Sequence, residues 1–136
     1  MLDNNKIELC KYRLQKSIEC LNSAKLLSTS NDYTASANRS YYAIFHSMRA
    51  VMALDGEDRK KHSGVVAYFQ ENYIKTGIFD KSYSYIIKNA FQIRQESDYE
   101  DFFIISKKEV ILQIQNPEDL INSIQKYIND IIQPTA

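Results

Sequence analysis

Turn-forming residues are scarce in this chain, which has three glycines and two prolines among 136 residues. Apolar residues recur mostly at intervals of three and four rather than two, which is the spacing of an amphipathic α-helix. Because glycine and proline are the main local signals that end helices and shape tight turns, their scarcity leaves room for a few long elements only. We therefore predict an all-α fold.

Polar or turn-forming residues separate the predicted helices. The first helix runs from about residue 4 to 28, and the second from Asp32 as N-cap to a stop at Asp55-Gly56. The third runs from His62 or Ser63 as cap to about Ile74, and the fourth from Asp80 as cap into 94–98. The last helical region begins at a capping box, Ser106–Glu109. The segment "YEDFFII", 99–105, lacks helical spacing and is predicted to be an extended connection. Pro117 lies in the last region, where a kinked helix and two abutting helices remain alternatives.

Length and charge limit the classes of function. We expect one compact domain, residues 1–136. Seventeen basic and seventeen acidic residues give a net charge of zero, so any binding of a polyanion has to be local. Cys10 and Cys20 are about 15 Å apart on one predicted helix and are expected to be free thiols. With no secretory signal and no apolar run of about 18 residues, we expect a soluble, cytoplasmic protein that does not engage a membrane.

The stretch "NRSYYAIFHSMRA", 38–50, crowds polar groups into an otherwise apolar helix. Four of them, Arg39, Tyr42, His46 and Arg49, fall within an arc of about 80°. Guanidinium groups can hold a phosphate, and an imidazole with a pKa near 6.5 can transfer protons at neutral pH. Alternatively, Tyr42 and His46 are packed core residues bonded to a neighbouring helix, with both arginines paired to carboxylates. The spacing alone leaves both interpretations open.

Two further segments carry candidate binding groups. In "RQESDYED", 94–101, Arg94 can pair with Asp98. The pair either orients Arg94 as a hydrogen-bond donor to a phosphate or is an ordinary salt bridge at a helix end. In the basic loop "EDRKKHSG", 57–64, Lys61 and His62 precede a helix N-terminus that favours an anion, although a solvated charged loop is the alternative.

No metal or cofactor is predicted. Neither His46 nor His62 has a partner at metal-ligand spacing, and the sequence lacks CxxC and HExxH motifs. Three scattered glycines build no glycine-rich phosphate loop, and no Ser-His-Asp arrangement is apparent. Dinucleotide binding, kinase chemistry and triad hydrolysis are therefore not supported.

Taken in order, several segments resemble the HEPN domain family, small helical domains named for higher eukaryotes and prokaryotes nucleotide-binding. The segments are "SIECLNSAKLL", "DYTASANRSYYAIFHSMRAVM", "KKHSGVVAYFQENYIKTG", "IRQESDYEDF" and a final amphipathic helix. Their order and spacing are more specific than any single motif. The chain looks most like the stand-alone bacterial and archaeal members.

The resemblance implies an antiparallel bundle of four to five helices that usually dimerises around a polar cleft. It also implies either a metal-independent ribonuclease of toxin type or a non-catalytic module, commonly paired with a small nucleotidyltransferase. The family's active motif is an arginine followed, after four to six residues, by a histidine. At the matching position Arg94 has no histidine after it, whereas Arg39 and His46 have that spacing on an earlier helix.

We therefore predict a HEPN-like protein that binds a nucleotide or RNA in a polar cleft, within a toxin–antitoxin or nucleotidyltransferase-linked system, without catalysis or only with a partner. A metal-independent endoribonuclease toxin and a dimeric structural scaffold are the alternatives. A homodimer is expected. The candidate catalytic residues are Arg39, His46 and Arg94, and the candidate binding or orienting residues are Tyr42, Arg49, Asp98, Tyr99, His62 and Lys61.

Overall fold

Five α-helices make up most of the chain in a computed structural model that describes residues 3–133. They are α1 (Asn4–Thr29), α2 (Tyr33–Leu54), α3 (His62–Phe69), α4 (Ser82–Tyr99) and α5 (Lys107–Ile132), with a π-helical turn (Gln70–Ile74) continuing α3. No β-strand occurs within the described range. The predicted all-α bundle is confirmed.

Three helices begin at residues whose side chains cap exposed backbone N–H groups. The carboxylate of Asp3 accepts a hydrogen bond from the Asn5 amide at 2.8 Å, and Asp32 caps α2 as predicted. The capping box at Ser106 is also confirmed, because its hydroxyl accepts from the Glu109 amide while the Glu109 carboxylate accepts from the Ser106 amide. These caps account for the accuracy of the predicted helix starts.

The starts of α3 and α4 differ from the prediction. Lys61 occupies the N-cap of α3 without a side-chain hydrogen bond, so neither His62 nor Ser63 caps that helix. Asp80 lies one residue before the N-cap of α4 and accepts a hydrogen bond from the Ser82 amide at 2.8 Å. Both short loops use local turns in which the capping group is displaced or absent.

The segment after α3 winds as a π-helix rather than as a regular α-helix. The Lys75 amide donates to the Gln70 carbonyl at 2.8 Å, five residues back. Tyr73, which is 2% exposed, reaches from this turn to donate a hydrogen bond to the carboxylate of Asp55, the C-cap residue of α2. The π-helical turn thereby ties the end of α3 to the end of α2.

Two further predictions concern the connection between α4 and α5 and the helix that contains Pro117. The predicted extended connection over 99–105 is only partly correct: residues 100–106 are non-helical, but Tyr99 still belongs to α4 and a turn lies at 101–102. Between the two alternatives for Pro117, the structure has one helix that continues through it from Lys107 to Ile132. None of the helices within residues 3–133 has the length and apolar character needed to cross a membrane.

The central helix is α2, which packs against each of the other four helices. Fourteen of its 22 residues are buried. Small residues let α1 run antiparallel and close to it: the Ser17 hydroxyl donates to the Ala43 carbonyl at 2.6 Å, and the Ser36 hydroxyl to the Ala24 carbonyl at 2.7 Å. The polar residues of "NRSYYAIFHSMRA" are consequently held by a rigid scaffold.

Candidate functional site

Two arginines and two histidines lie around the ring of Tyr42, and we call these five residues the Tyr42 cluster. The guanidinium carbons of Arg39 and Arg94 are 5.0 and 5.7 Å from the ring centroid. The imidazole centroids of His46 and His62 are 6.2 and 5.7 Å from it. The cluster joins α2, α3 and α4, and all five residues are half-buried.

Arg94 reaches the cluster from α4 and is held on two sides. Its Nη2 donates to the Tyr42 hydroxyl at 3.2 Å, and its Nε is 3.0 Å from the Asp98 carboxylate. The pairing with Asp98 has the predicted spacing of four residues, and Nε is buried against that carboxylate. Arg94 is therefore an oriented cation, engaged through both Nε and Nη2.

Arg39 lies on another part of the same ring. Its Nη2 donates to the Asn38 side chain at 3.0 Å, and it forms no ion pair with any of the described residues. Because Arg39 and Arg94 are each within 6 Å of the Tyr42 centroid, their guanidinium carbons are within about 11 Å of each other. The two arginines that the sequence predicts to bind phosphate thus both contact the ring of Tyr42.

His46 lines a cleft of about 270 Å³ between α1 and α2. The other residues lining it are Lys16, Glu19, Cys20, Ser23 and Arg39. Burial, reinforced by the charges of Lys16, Arg49 and Arg39, lowers the pKa of His46 to about 4. Its Nδ1 is buried without a hydrogen-bond partner. At neutral pH, His46 is therefore an uncharged imidazole, and with a pKa of about 4 it is a weak base.

Arg49, by contrast, is tied to a carboxylate that sequence analysis did not assign to the site. Its Nε and Nη2 donate to the two oxygens of Asp58 at 3.2 and 2.9 Å. Arg13 donates to the same carboxylate at 3.1 Å and to the Arg49 carbonyl at 3.2 Å. We call Arg13, Arg49 and Asp58 the Asp58 network. The overlooked signal was an arginine on the apolar stripe of α1, next to Leu14 and between Cys10 and Ser17.

His62, at the start of α3, packs one side of its ring against the core. Its ring stacks on Phe45 with centroids 4.2 Å apart, and its Nδ1 is 2.9 Å from the Tyr41 hydroxyl. Lys61 and Tyr99 are exposed, and neither has a hydrogen bond or ion pair to the Tyr42 cluster among the described residues. The structure therefore brings His62 together with Arg94 and Tyr42, but not Lys61 or Tyr99.

The described residues contain no group of three histidine, cysteine or acidic side chains that could hold a metal ion. Cys10 and Cys20 are free thiols, as predicted. Burial raises the pKa of Cys20, the cysteine that lines the His46 cleft, so this thiol keeps its proton at neutral pH. The chemistry that these residues support is the binding of an anion and the movement of a proton.

A family model of the HEPN domain matches residues 10–128, so the chain belongs to the HEPN domain family. It is similar to a UPF0332 protein of Thermotoga maritima, with 31% identity over 128 residues that cover 94% of this chain and 97% of that protein. It is also similar to two proteins of Methanocaldococcus jannaschii. "Putative toxin MJ0142" is 29% identical over 115 residues (85% of this chain, 78% of that protein), and "Putative toxin MJ0605" is 35% identical over 81 residues (60% of each).

These similarities confirm the family predicted from the ordered segments. They also give this HEPN protein relatives that are named as toxins. The matched range includes Arg39, Tyr42, His46, His62 and Arg94, so the whole Tyr42 cluster lies inside the family domain.

Proposed function

We propose that this HEPN protein binds RNA at the Tyr42 cluster, as part of a toxin-like function. The observation that carries the proposal is the pair of arginines on one half-buried ring, one without an ion pair among the described residues and the other oriented by Tyr42 and Asp98. Guanidinium groups match the geometry of phosphate oxygens, and RNA supplies phosphates together with bases that stack on aromatic side chains.

The local charge around the cluster supports a polyanionic ligand, although the chain as a whole has a net charge of zero. Lys16, Arg39, Arg49 and Arg13 all act on the ring of His46. Within residues 3–133, Asp58 is the carboxylate that pairs with two of these cations, Arg13 and Arg49. A cationic region of this kind attracts phosphates locally without giving the molecule an overall basic character.

Binding of a fluorescently labelled single-stranded RNA, followed by anisotropy, tests the proposal. Arg94→Ala and Arg39→Ala should each weaken binding by about tenfold, as expected for loss of a charge-assisted hydrogen bond. Lys126→Ala, which removes an exposed cation from α5, is the matched control and should bind like the parent. Affinity should also fall as salt rises, because phosphate contacts release counterions. If both arginine variants bind like the parent, the proposal is wrong.

A second candidate function is RNA cleavage without a metal, and His46 is the observation that favours it. The uncharged imidazole of His46, next to Arg39, can take the proton of a ribose 2′-hydroxyl as that oxygen bonds to phosphorus, and return it to the 5′-oxygen as the phosphorus–oxygen bond breaks, while a guanidinium neutralises the phosphate. The test is incubation of the purified protein with total RNA in the presence of a chelator. Cleavage by the parent should disappear in Arg39→Ala, His46→Ala and Arg94→Ala, whereas intact RNA with the parent leaves RNA binding as the function.

We also propose that a protein partner covers the connection between α4 and α5. Phe102 is 99% exposed, Ile104 is 86% exposed and the neighbouring Tyr99 is 76% exposed. Exposed apolar side chains in one segment are typical of an interaction surface. A homodimer is the proposed assembly, and sedimentation velocity should show it weakened by Phe102→Ser with Ile104→Ser. A parent that stays monomeric at all concentrations would instead point to a different protein, such as a small nucleotidyltransferase.

A further inference from the structure

His62 is fixed by contacts with two buried aromatic residues of α2. Its ring stacks on Phe45, which is 6% exposed, with centroids 4.2 Å apart. Its Nδ1 is 2.9 Å from the hydroxyl of Tyr41, which is 1% exposed. The ring therefore has one orientation, with Nδ1 turned toward the core.

The hydrogen bond with Tyr41 also decides where the imidazole proton lies. Burial raises the pKa of Tyr41, so the phenol keeps its proton, and the described residues offer that proton one acceptor, His62 Nδ1. Burial, with the charges of Arg94 and Arg49, lowers the pKa of His62, so the imidazole is neutral at pH 7. A buried hydroxyl without an acceptor is costly, so Tyr41 donates to Nδ1 and the ring proton is on Nε2.

The Nε2–H group of His62 is left for a ligand. Nε2 has no hydrogen-bond partner in the part of the chain that the structure describes, yet it is not among the buried polar atoms that lack one, so it reaches solvent. The ring lies 5.7 Å from the centroids of both Tyr41 and Tyr42, and Arg94 lies 5.6 and 5.7 Å from the same two centroids. Two donors from different helices thus flank one pair of tyrosines.

We propose that His62 is a ligand-binding residue of the RNA site, where its Nε2–H donates a hydrogen bond to a phosphate that Arg94 also binds. Tyr41 is then a positioning residue, because it fixes the tautomer without touching RNA. This inference rests on the proposed function and adds a donor to it. From the sequence, we expect His62 to contribute to an anion site at the N-terminus of α3; here His62 instead acts through its side-chain Nε2–H beside Arg94.

Substitutions that imitate one or the other ring nitrogen provide the test. In His62→Gln the side-chain amide can occupy the position of Nε2–H, whereas in His62→Asn it reaches only as far as Nδ1. In the anisotropy assay, His62→Gln should stay within about threefold of the parent, while His62→Asn and His62→Ala should bind about tenfold more weakly. Thermal unfolding of each variant establishes that it is folded.

The tautomer provides a readout that a purely structural role would not change. Nitrogen-15 NMR of the parent at pH 7.5 should show His62 protonated at Nε2, with that signal moving when RNA is added. Tyr41→Phe removes the donor to Nδ1, so it should give a mixture of tautomers and weaker RNA binding. This measurement on the parent remains decisive even if a His62 variant fails to fold.

The outcomes separate this inference from the proposed function. If Arg94→Ala impairs RNA binding but all three His62 variants bind like the parent, the role of His62 is overturned and the RNA site stands. A parent protonated at Nδ1 also overturns it. If the parent does not bind RNA at all, both proposals fall.

Discussion

The Asp58 network and the Tyr42 cluster use the same kinds of side chain on the same helix, but they differ in how completely these are paired. In the Asp58 network, one carboxylate receives hydrogen bonds from Arg49 and Arg13, and a backbone carbonyl accepts from Arg13 as well. In the Tyr42 cluster, Arg39 has no ion pair within residues 3–133, and the buried Nδ1 of His46 has no hydrogen-bond partner among those residues.

We propose that this difference separates groups that stabilise the fold from groups that bind a ligand. A buried polar group without a partner costs stability, because it has lost water and gained nothing in return. Such a cost is tolerated where an incoming molecule completes the missing hydrogen bonds. On this proposal Arg49 stabilises the fold and Arg39 binds the ligand, although both lie on the polar arc of α2.

Asp58→Ala should have the largest effect on stability. It leaves Arg13, whose side chain is 10% exposed, facing Arg49 without a counter-charge. Because the Asp58 side chain is 49% exposed and partly screened, we expect a loss of about 2 kcal/mol in the free energy of unfolding, less than for a fully buried pair. Urea denaturation measures it.

The adjacent carboxylate provides the control for this prediction. Glu57 pairs with Arg59 near the surface, where their side chains are 42% and 44% exposed. Glu57→Ala should therefore cost no more than about 0.5 kcal/mol. Equal losses for the two variants would mean that the Asp58 network does not stabilise the fold.

Acidification should have an intermediate effect, through His46. The pKa of His46 is about 4 in the folded protein and ordinarily 6.5. Below pH 6.5 the unfolded chain therefore binds a proton at this ring that the folded chain does not bind until the pH is near 4. The stability that comes from the uncharged ring is complete above pH 6.5 and is lost as the pH falls toward 4. We expect a loss on the order of 1 kcal/mol at pH 5 relative to pH 7.5.

Carboxylates also titrate in this range, so the measured quantity is the difference between the parent and His46→Gln. The variant keeps a polar side chain but has no group that ionises. Its stability should fall less steeply between pH 7.5 and 5. Parallel curves for the two proteins would contradict the burial of an uncharged imidazole.

Arg39→Ala should have the smallest effect on stability. Its contacts are one hydrogen bond to Asn38 and a cation–π contact with Tyr42, so we expect a loss of about 0.5 kcal/mol in urea denaturation. A loss well above 1 kcal/mol would place Arg39 with the structural residues and remove the contrast with Arg49.

The sequence predicted the helices well because the signals are local. Asp32 and Ser106 cap the helices that follow them, and apolar spacing identified the buried faces. Pro117 could not be interpreted because its neighbours keep one helical phase whether or not the helix continues through it. Local signals thus define each helix but not how two helices meet.

The candidate site was predicted only in part for the same reason. Arg39, Tyr42, His46 and Arg94 were identified, and their meeting around one ring depends on the packing of α4 against α2. The hydrogen bond from Arg13 to Asp58 spans 45 residues, and no local pattern encodes it. The direction of His62 is likewise set by stacking on Phe45, a residue of another helix.

The π-helical turn at 70–74 constrains how many residues this segment of the chain can contain. Deleting one residue there would restore regular α-helical winding and rotate the following residues by about 100° relative to α3. Tyr73 would then point away from Asp55, and the end of α2 would lose its anchor. Over evolutionary time, this segment should accept exchanges of amino acids far more readily than insertions or deletions.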